Sequence, residues 1–335
     1  MIMAGPVGIR TVAAQAGVSV GTVSNVINKP ETVSARTLAH VQQVMDELGF
    51  VRNDLARQLK MGGGTTLGLI VLNVANPFFA GLAHACEAAA EELGYTVIMG
   101  SSDQLRERED RYIDLFEQQR VRGMLIAGLD GATERIQRLT KRGMPLVLFD
   151  IHAQAGEFCT VALDGAEGGY MAVSHLIETG RRRIAFVGGP LSQVDDRWQG
   201  ASRAADGIAE LTHIDTPDQT IADGRAIGEQ IIAMSADQRP DGIFAANDTL
   251  GLGVLQALVL ADDIVVPRDI ALVGYDDIEY SRSAIVPMSS VRQPVDTLAR
   301  EAVRLVLEHA GDPSAHEHRR VLLRPELVAR RSSVR

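Results

Sequence analysis

Three stretches of the chain carry side chains of the kind that chemistry uses. Gly17-Val18-Ser19-Val20-Gly21 has the G-x-S-x-G spacing of a nucleophilic serine. His316-Glu317-His318 sets two imidazoles beside a carboxylate, and Ser19 to Asn28 is a run rich in Ser, Thr and Asn. A nucleophile elbow needs a strand before the serine and a helix after it, at the top of a sheet. Here the segment before Ser19 reads as helical, and no oxyanion or histidine context accompanies it, so Ser19 is not read as a nucleophile. His316 and His318 have the wrong spacing for two ligands on one helical face, and they read as a solvated loop. Cys86 and Cys159 supply neither a disulfide framework nor a plausible metal set; they read as buried small apolar groups, which suits a reducing cytoplasm. No Walker A, G-x-G-x-x-G or H-E-x-x-H pattern occurs. No catalytic residue, metal ligand or cofactor is assigned, and the chain is not expected to be an enzyme.

The elements around Ser19 explain what the polar run is for. Thr11 to Ala16 is a short Ala-rich helix, Gly17-Val18-Ser19 is a turn with Ser19 as a ready N-cap, and Val20 to Ile27 follows with Val23, Val26 and Ile27 on one face. A third helix, Ala35 to Leu48, is capped by Ser34 and closed by Gly49. Two short helices joined by a Gly-containing turn form either an ordinary helical hairpin or a helix-turn-helix, whose second helix lies in the major groove of DNA. A fourth helical stretch, Asn53 to Met61, runs into Gly62-Gly63-Gly64, a flexible joint.

Beyond Thr66 the pattern changes to apolar runs alternating with amphipathic helices. The strands expected are Leu67 to Leu72, Thr96 to Met99, Gly123 to Ile126, Leu146 to Phe149, Ile184 to Val187, Gly242 to Ala245 and Ile270 to Val273. Phe79 to Leu93 and Arg106 to Arg120 are among the helices between them. Strands apolar almost throughout imply parallel sheets covered on both faces. There are too many for one sheet, so the expectation is an α/β body of two Rossmann-like lobes with a ligand cleft at the carboxyl ends of the strands. Only 4% of the 335 residues are aromatic, which also favours α/β over an aromatic-rich sandwich. The net charge of −10 is unevenly spread. Residues 1–60 hold six Lys/Arg against four Asp/Glu, which leaves 27 against 39 for the rest. A mildly basic head on an acidic body suits nucleic-acid contact confined to the head. The start of the chain lacks a secretory n-region and h-region, and no apolar run approaches the roughly 18 residues of a membrane span.

The stretch Val12 to Asn28 matches in full the V-A-x-x-A-G-V-S-x-x-T-V-S-x-V-x-N pattern of the lactose and purine repressor family (LacI/GalR), and the resemblance continues over nearly the whole chain. It implies a helix-turn-helix head over 8–52, a hinge over 53–64 and an effector-binding domain over 65–335. Within the last, lobe 1 would hold about 65–163 and 294–318, and lobe 2 about 165–292 and 319–335. It places Val20, Gly21 and Asn25 at base-reading positions, with Ser19, Thr22 and Ser24 nearer the backbone. Asn bridges adenine N6 and N7, Val packs on a thymine methyl, and Gly21 offers no side chain. Phe50 to Lys60 resembles the family's hinge helix, with Asn53 as N-cap, Ala56 at the helix contact, Arg57 in the conserved family motif and Leu59 as the minor-groove wedge. Arg52 stands where the family has proline.

In the body the resemblance points to Phe78 or Phe79 as a stacking surface and to Asp150, Arg197, Asn247 and Asp276 as effector contacts. Two acceptors, a fork-shaped donor and an amide suit a polyol. Asp248 and Asp277 read as structural; Trp198 flanks the ligand or simply packs. Asp164-Gly165 and Gln293-Pro294 resemble interlobe crossings, and Val321 to Arg331 the last strand of the second lobe. No leucine heptads follow, so a homodimer is expected. The implied protein is a cytoplasmic, effector-controlled transcription regulator, a repressor as is usual in the family, acting on a pseudo-palindromic double-stranded operator, with a sugar or polyol as its expected effector and membranes no part of its setting. The alternative is a sugar-binding receptor protein with no regulatory role.

Overall fold

The computed structural model describes residues 7–50, 64–128, 133–149, 157–261 and 263–334, the side chains of 191–193 excepted. The expected hinge helix, with Asn53, Ala56, Arg57 and Leu59, lies outside the described residues, as does Asp150. Met1–Gly64 and Thr65–Arg335 form two compact units.

In the first unit, helix α1 spans Ile9–Ala16, α2 Val20–Asn28 and α3 Ala35–Glu47. Each boundary has a local cause. Gly17 takes the left-handed conformation at φ 64°, and Val18 N–H donates to Ala13 O at 3.0 Å, which ends α1. Ser19 and Ser34 accept from Thr22 and Thr37 N–H at 3.0 and 3.3 Å and so start the next two helices. Val12, Val23, Val26, Val41 and Val44 meet in a small common core, which turns the opposite face of α2 outward.

The second unit contains two six-stranded sheets. The strands are β1 Thr66–Val71, β2 Thr96–Ser101, β3 Gly123–Ile126, β4 Leu146–Leu148, β5 Cys159–Leu163, β6 Arg183–Val187, β7 Glu210–Ile214, β8 Gly242–Ala245, β9 Ala271–Asp276, β10 Ser289–Arg292, β11 Arg320–Leu323 and β12 Glu326–Val328. The first sheet runs β11-β5-β4-β3-β1-β2, parallel throughout; the second runs β12-β10-β9-β8-β6-β7, with only β12 antiparallel. In the first sheet, Leu67, Leu69, Leu125 and Val147 join one buried cluster while Ile70, Met124, Ile126 and Leu148 join another. That alternation shows a sheet covered on both faces, as the unbroken apolar runs require.

The chain crosses between sheets after β5 at Asp164, after β10 at Gln293 and between β11 and β12. The last crossing corrects the expected lobe boundary and the expected strand Val321 to Arg331. Residues 320–323 belong to the first sheet, where Arg320 registers with Thr160 and Asp164 N–H donates to Leu323 O at 2.9 Å. Only Glu326–Val328 joins the second. Arg324-Pro325 interrupts the segment, and proline cannot donate to a ladder.

Helices α7 (Gly165–Glu178) and α8 (Leu191–Ala205) pack almost backbone to backbone on the second sheet, after α4 (Pro77–Glu91), α5 (Arg106–Gln118) and α6 (Glu134–Lys141) on the first. A Cβ on Gly169 would stand 2.0 Å from Arg197 O, and one on Gly200 1.8 Å from Ala166 O. The glycines therefore set the depth of α8 and with it the place of Arg197. Exposed Gly81, within α4, has nothing near its missing Cβ. Gly200→Ala should destabilise the protein by about 1–3 kcal/mol through overpacking. Gly81→Ala should stabilise it by about 0.5–1 kcal/mol through helix propensity. Urea unfolding followed by circular dichroism checks both signs.

Candidate functional site

On α2, Val20, Gly21 and Asn25 are exposed, Thr22 and Ser24 half-buried, and Val20 keeps 44% of its surface accessible. Ser19 is engaged in capping, and its hydroxyl also meets that of Thr22 at 2.9 Å. Added at Gly21, a Cβ would touch only Ser19 Oγ, at 3.5 Å, so this unit's packing does not demand a glycine there. The result is a helix face of hydroxyls, one amide and one apolar side chain, the chemistry that base edges in a major groove match.

The second unit holds a cleft of about 440 Å³ built where several parallel strands end. Its walls come from the loop after β1 (Leu72, Asn73, Ala75, Asn76), from Phe78 and Phe79 at the start of α4, and from Gln104 after β2. The other side is Arg197 of α8, Asp218 to Ala222 after β7, Asn247 and Thr249 after β8, and Asp276 at the end of β9. Phe78, Phe79, Arg197, Asn247 and Asp276, five of the six expected effector contacts, thus line one cavity. Trp198 does not line it; the indole packs on Phe186 and His213 at 5.5 and 5.4 Å between ring centroids.

Local structure fixes each wall. Asn76 accepts from Phe78 N–H at 3.0 Å with Pro77 in the first helical turn, so the loop enters α4 with both phenylalanines placed. Their rings meet edge to face at 5.1 Å. Asn247 caps α10 (Asp248–Leu260; α9 is Ile221–Ala233) by accepting from Leu250 N–H at 2.9 Å, while its amide donates to Gln219 Oε1 at 3.2 Å. Thr249 Oγ1 donates to Gln219 O at 2.7 Å, tying the β7 and β8 loops together.

The ionic groups at the cleft floor are the most constrained. The Arg197 guanidinium lies 3.9 Å above the Tyr275 ring and donates to Ala246 O, while its Nε is buried with no acceptor among the described residues. Burial works against that charge, but Tyr275, Asp276 and Asp196 outweigh it and raise the Arg197 pKa. Asp276, 8% exposed, has φ 106° and accepts from the Gln293 amide. Burial pushes its carboxyl up to about 6, although Arg197 and Gln293 pull the other way. Behind it, fully buried Asp248 accepts from Ser281 Oγ, Ser290 Oγ and Ile278 N–H at 2.6, 2.7 and 2.9 Å. Burial and the Asp276 charge nevertheless push Asp248 up to about 8. Asp277 pairs with Arg292 at 2.7 Å and Arg330 at 2.6 Å, away from the cleft lining, and anchors β10 to the C-terminal segment.

Known bacterial regulatory proteins of the LacI family match over residues 8–53, and the periplasmic binding protein-like domain over 173–333. The HTH-type transcriptional repressor PurR of Aliivibrio fischeri is 32% identical over 332 residues, spanning 97% of both chains. This chain belongs to the LacI family. As a LacI-family protein it is a sequence-specific DNA-binding transcription regulator whose second unit is built for a small-molecule effector. Its architecture follows the transcriptional regulator CelR in complex with cellobiose, at 31% identity, TM-score 0.69 and coverage of 97% and 99% of the two chains. It also follows the lac repressor dimer bound to operator and the anti-inducer ONPF, at 26% identity, TM-score 0.82 and coverage of 98% and 100%. Among the described residues of this LacI-family chain, no helix is long and apolar enough to cross a membrane.

Sequence reasoning missed Gln104 and the Asp218-Gln219-Thr220 wall. The second omission follows from β7: Glu210–Ile214 is a partly exposed edge strand without an apolar run, so its carboxyl end was not suspected of facing a cleft. Gln104 sits in a left-handed turn, φ 56°, and reaches across the cleft to Asp218 Oδ1 at 3.5 Å.

Asp276 carries a stability signature. A carboxyl whose folded pKa is about 6 favours the fold fully below about pH 4, and that contribution is lost as pH rises through 6. Asp276→Asn keeps an acceptor for Gln293 but removes the titration. Its stability relative to wild type should therefore rise by about 2–3 kcal/mol between pH 4 and pH 7, measured by urea unfolding across that range. A difference independent of pH would contradict the buried, partly neutral carboxyl.

Proposed function

We propose that this protein is a cytoplasmic, homodimeric repressor whose operator affinity is set by a sugar or polyol held in the cleft, and that it has no catalytic role. The observation that carries this reading is the cleft itself: two phenylalanine rings, a guanidinium stacked on Tyr275, an amide and a carboxylate converge on one 440 Å³ cavity. Aromatic faces cover the apolar side of a sugar ring, while the guanidinium donates to hydroxyl oxygens and Asp276 accepts from hydroxyl groups. The cellobiose complex of CelR supports a carbohydrate; the name PurR keeps purine bases among the compounds to test. Phe78, Phe79, Arg197, Asn247 and Asp276 are assigned to effector contact, and Asp150 joins them on the family resemblance alone.

The DNA assignments belong to the same proposal. Val20, Gly21 and Asn25 read base edges, while Ser19, Thr22 and Ser24 hold the helix against the phosphate backbone. Asn53, Ala56, Arg57 and Leu59 form the minor-groove hinge helix, each copy ordered by its partner in the dimer. A dimer binding two half-sites accounts for a pseudo-palindromic operator.

One experiment separates the two activities. A thermal-shift screen of monosaccharides, cellobiose, polyols and purine bases identifies the effector, because a ligand at 100 times its Kd stabilises the native state by about 2.7 kcal/mol. Operator binding is then measured at fixed salt. Arg197→Ala should lose the thermal shift and keep operator binding. Asn25→Ala should keep the thermal shift and weaken the cognate operator by about 1–3 kcal/mol, leaving random DNA unaffected. Loss of both activities in either variant, or of neither, would overturn the assignments.

A further inference from the structure

Away from the cleft, at one edge of the first sheet, four chemistry-bearing side chains meet. Cys159 opens β5 and is fully buried; its Sγ lies 3.0 Å from His316 Nε2 and 3.8 Å from His318 Nδ1. All three ligand atoms fall within 4.8 Å of one another. His309, in the last turn of α12 (Val295–Gly311; α11 is Glu279–Ser283), stacks parallel on His316 at 4.6 Å and meets His318 edge to face at 5.2 Å. His309 is 6% exposed, and its Nδ1 is buried with no hydrogen-bond partner among the described residues.

We propose that Cys159, His316 and His318 form a binding site for a divalent zinc ion, with water in the fourth position. Zinc takes thiolate sulfur at about 2.3 Å and imidazole nitrogen at about 2.0–2.1 Å in tetrahedral geometry, which puts sulfur and nitrogen about 3.5 Å apart. The two sulfur–nitrogen distances bracket that value, so small side-chain movements suffice. Binding replaces the Sγ–H bond by an S–Zn bond and gives the proton to the buffer. His309 forms an aromatic wall behind the ligands.

The backbone explains why this grouping arises. His316 and His318 stand two apart in a non-helical segment that leads into β11, and both rings turn toward Cys159. The rule against i, i+2 ligands holds only for a helix. Asp312 Oδ1 accepts from Ser314 and Ala315 N–H, each at 3.2 Å, and turns the chain back after α12. Thr160 N–H donates to Arg319 O at 2.9 Å, so the β5–β11 pairing brings the end of the His316–Arg319 segment to the start of β5, where Cys159 lies. Both histidines are half-buried, which leaves an ion a route in. Nearby Arg304 and Arg319 are paired with Glu308, so the sulfur does not face unopposed positive charge. An ion here would clip the α12–β11 connection to the sheet just before the chain crosses to the second lobe.

The test uses the full chain, stripped with chelator and titrated with zinc at pH 7.5 against a chromophoric competitor. One equivalent per chain should bind below micromolar Kd, and cobalt in its place should give a thiolate-to-metal charge-transfer band with tetrahedral visible bands. Cys159→Ser and the double variant His316→Gln/His318→Gln should each weaken binding at least about 100-fold. Cys86→Ser should change nothing, since that thiol, buried on α4, is not among the grouped ligand atoms. Effector thermal shift reports that each variant is folded; if Cys159→Ser fails to fold, the loop double variant decides. Zinc affinity unchanged in the double variant, or a cobalt spectrum without the thiolate band, would overturn the proposal.

Discussion

The effector unit is organised around a charge that cannot be left alone. Arg197 is held at the cleft floor over Tyr275, and a guanidinium withdrawn from water needs acceptors and opposite charge. Asp276 and the Ala246 carbonyl meet that need from β9 and the end of β8, and Gln293 holds Asp276 from the crossing after β10. Asp276 accepts a left-handed backbone to do so. Removing one member leaves the others buried and unpaired, which is the expensive case for buried ions. Such a site has unused hydrogen-bonding capacity, and a polyhydroxylated ligand is one way of using it.

The placement of that group also joins fold to function. Arg197 rides on a helix seated by glycine contacts, Asp276 ends a central strand, and Gln293 sits where the chain returns to the first lobe. The facing wall of Asn76, Phe78 and Gln104 comes from the other sheet. A ligand that touches both walls binds a closed arrangement better than an open one, and only such a difference in affinity can shift a conformational equilibrium. The small helical unit carries the other half of the activity. Its core of valines turns one polar face of α2 outward, the face that the proposed base contacts use.

How much of this was legible depended on how local the cause was. The helices of the first unit were readable within two residues at each end because Ser19, Ser34, Gly17 and Gly49 act on their immediate neighbours. β1, β3, β4, β6, β8 and β9 were readable because burial on both faces demands unbroken apolar runs, whereas the interior strand β5, Cys159–Leu163, with Cys159 and Thr160 at its start, was not among the strands expected. Two strands lack such a run: β7 is a partly exposed edge strand, and β10, although flanked by β9 and β12, is built from Ser289, Ser290 and Arg292 around one valine. Each was missed, and with β7 went the Asp218 to Ala222 wall. The third crossing was placed too early because Arg320–Leu323 is half-exposed and only its register with β5 reveals its sheet. Cys159 and the histidines illustrate the limit most clearly. They are over 150 residues apart in the chain, and nothing short of the β5–β11 pairing brings them together.

The central claim is that occupancy of the cleft and occupancy of DNA are one coupled equilibrium. Its most direct test is operator titration at fixed salt, with and without saturating effector, paired with effector titration of free and operator-bound protein. Coupling of about 1–3 kcal/mol should shift operator Kd roughly 5- to 150-fold, and the effector Kd should move by the same factor. Effector that binds the cleft yet leaves operator affinity unchanged would contradict it.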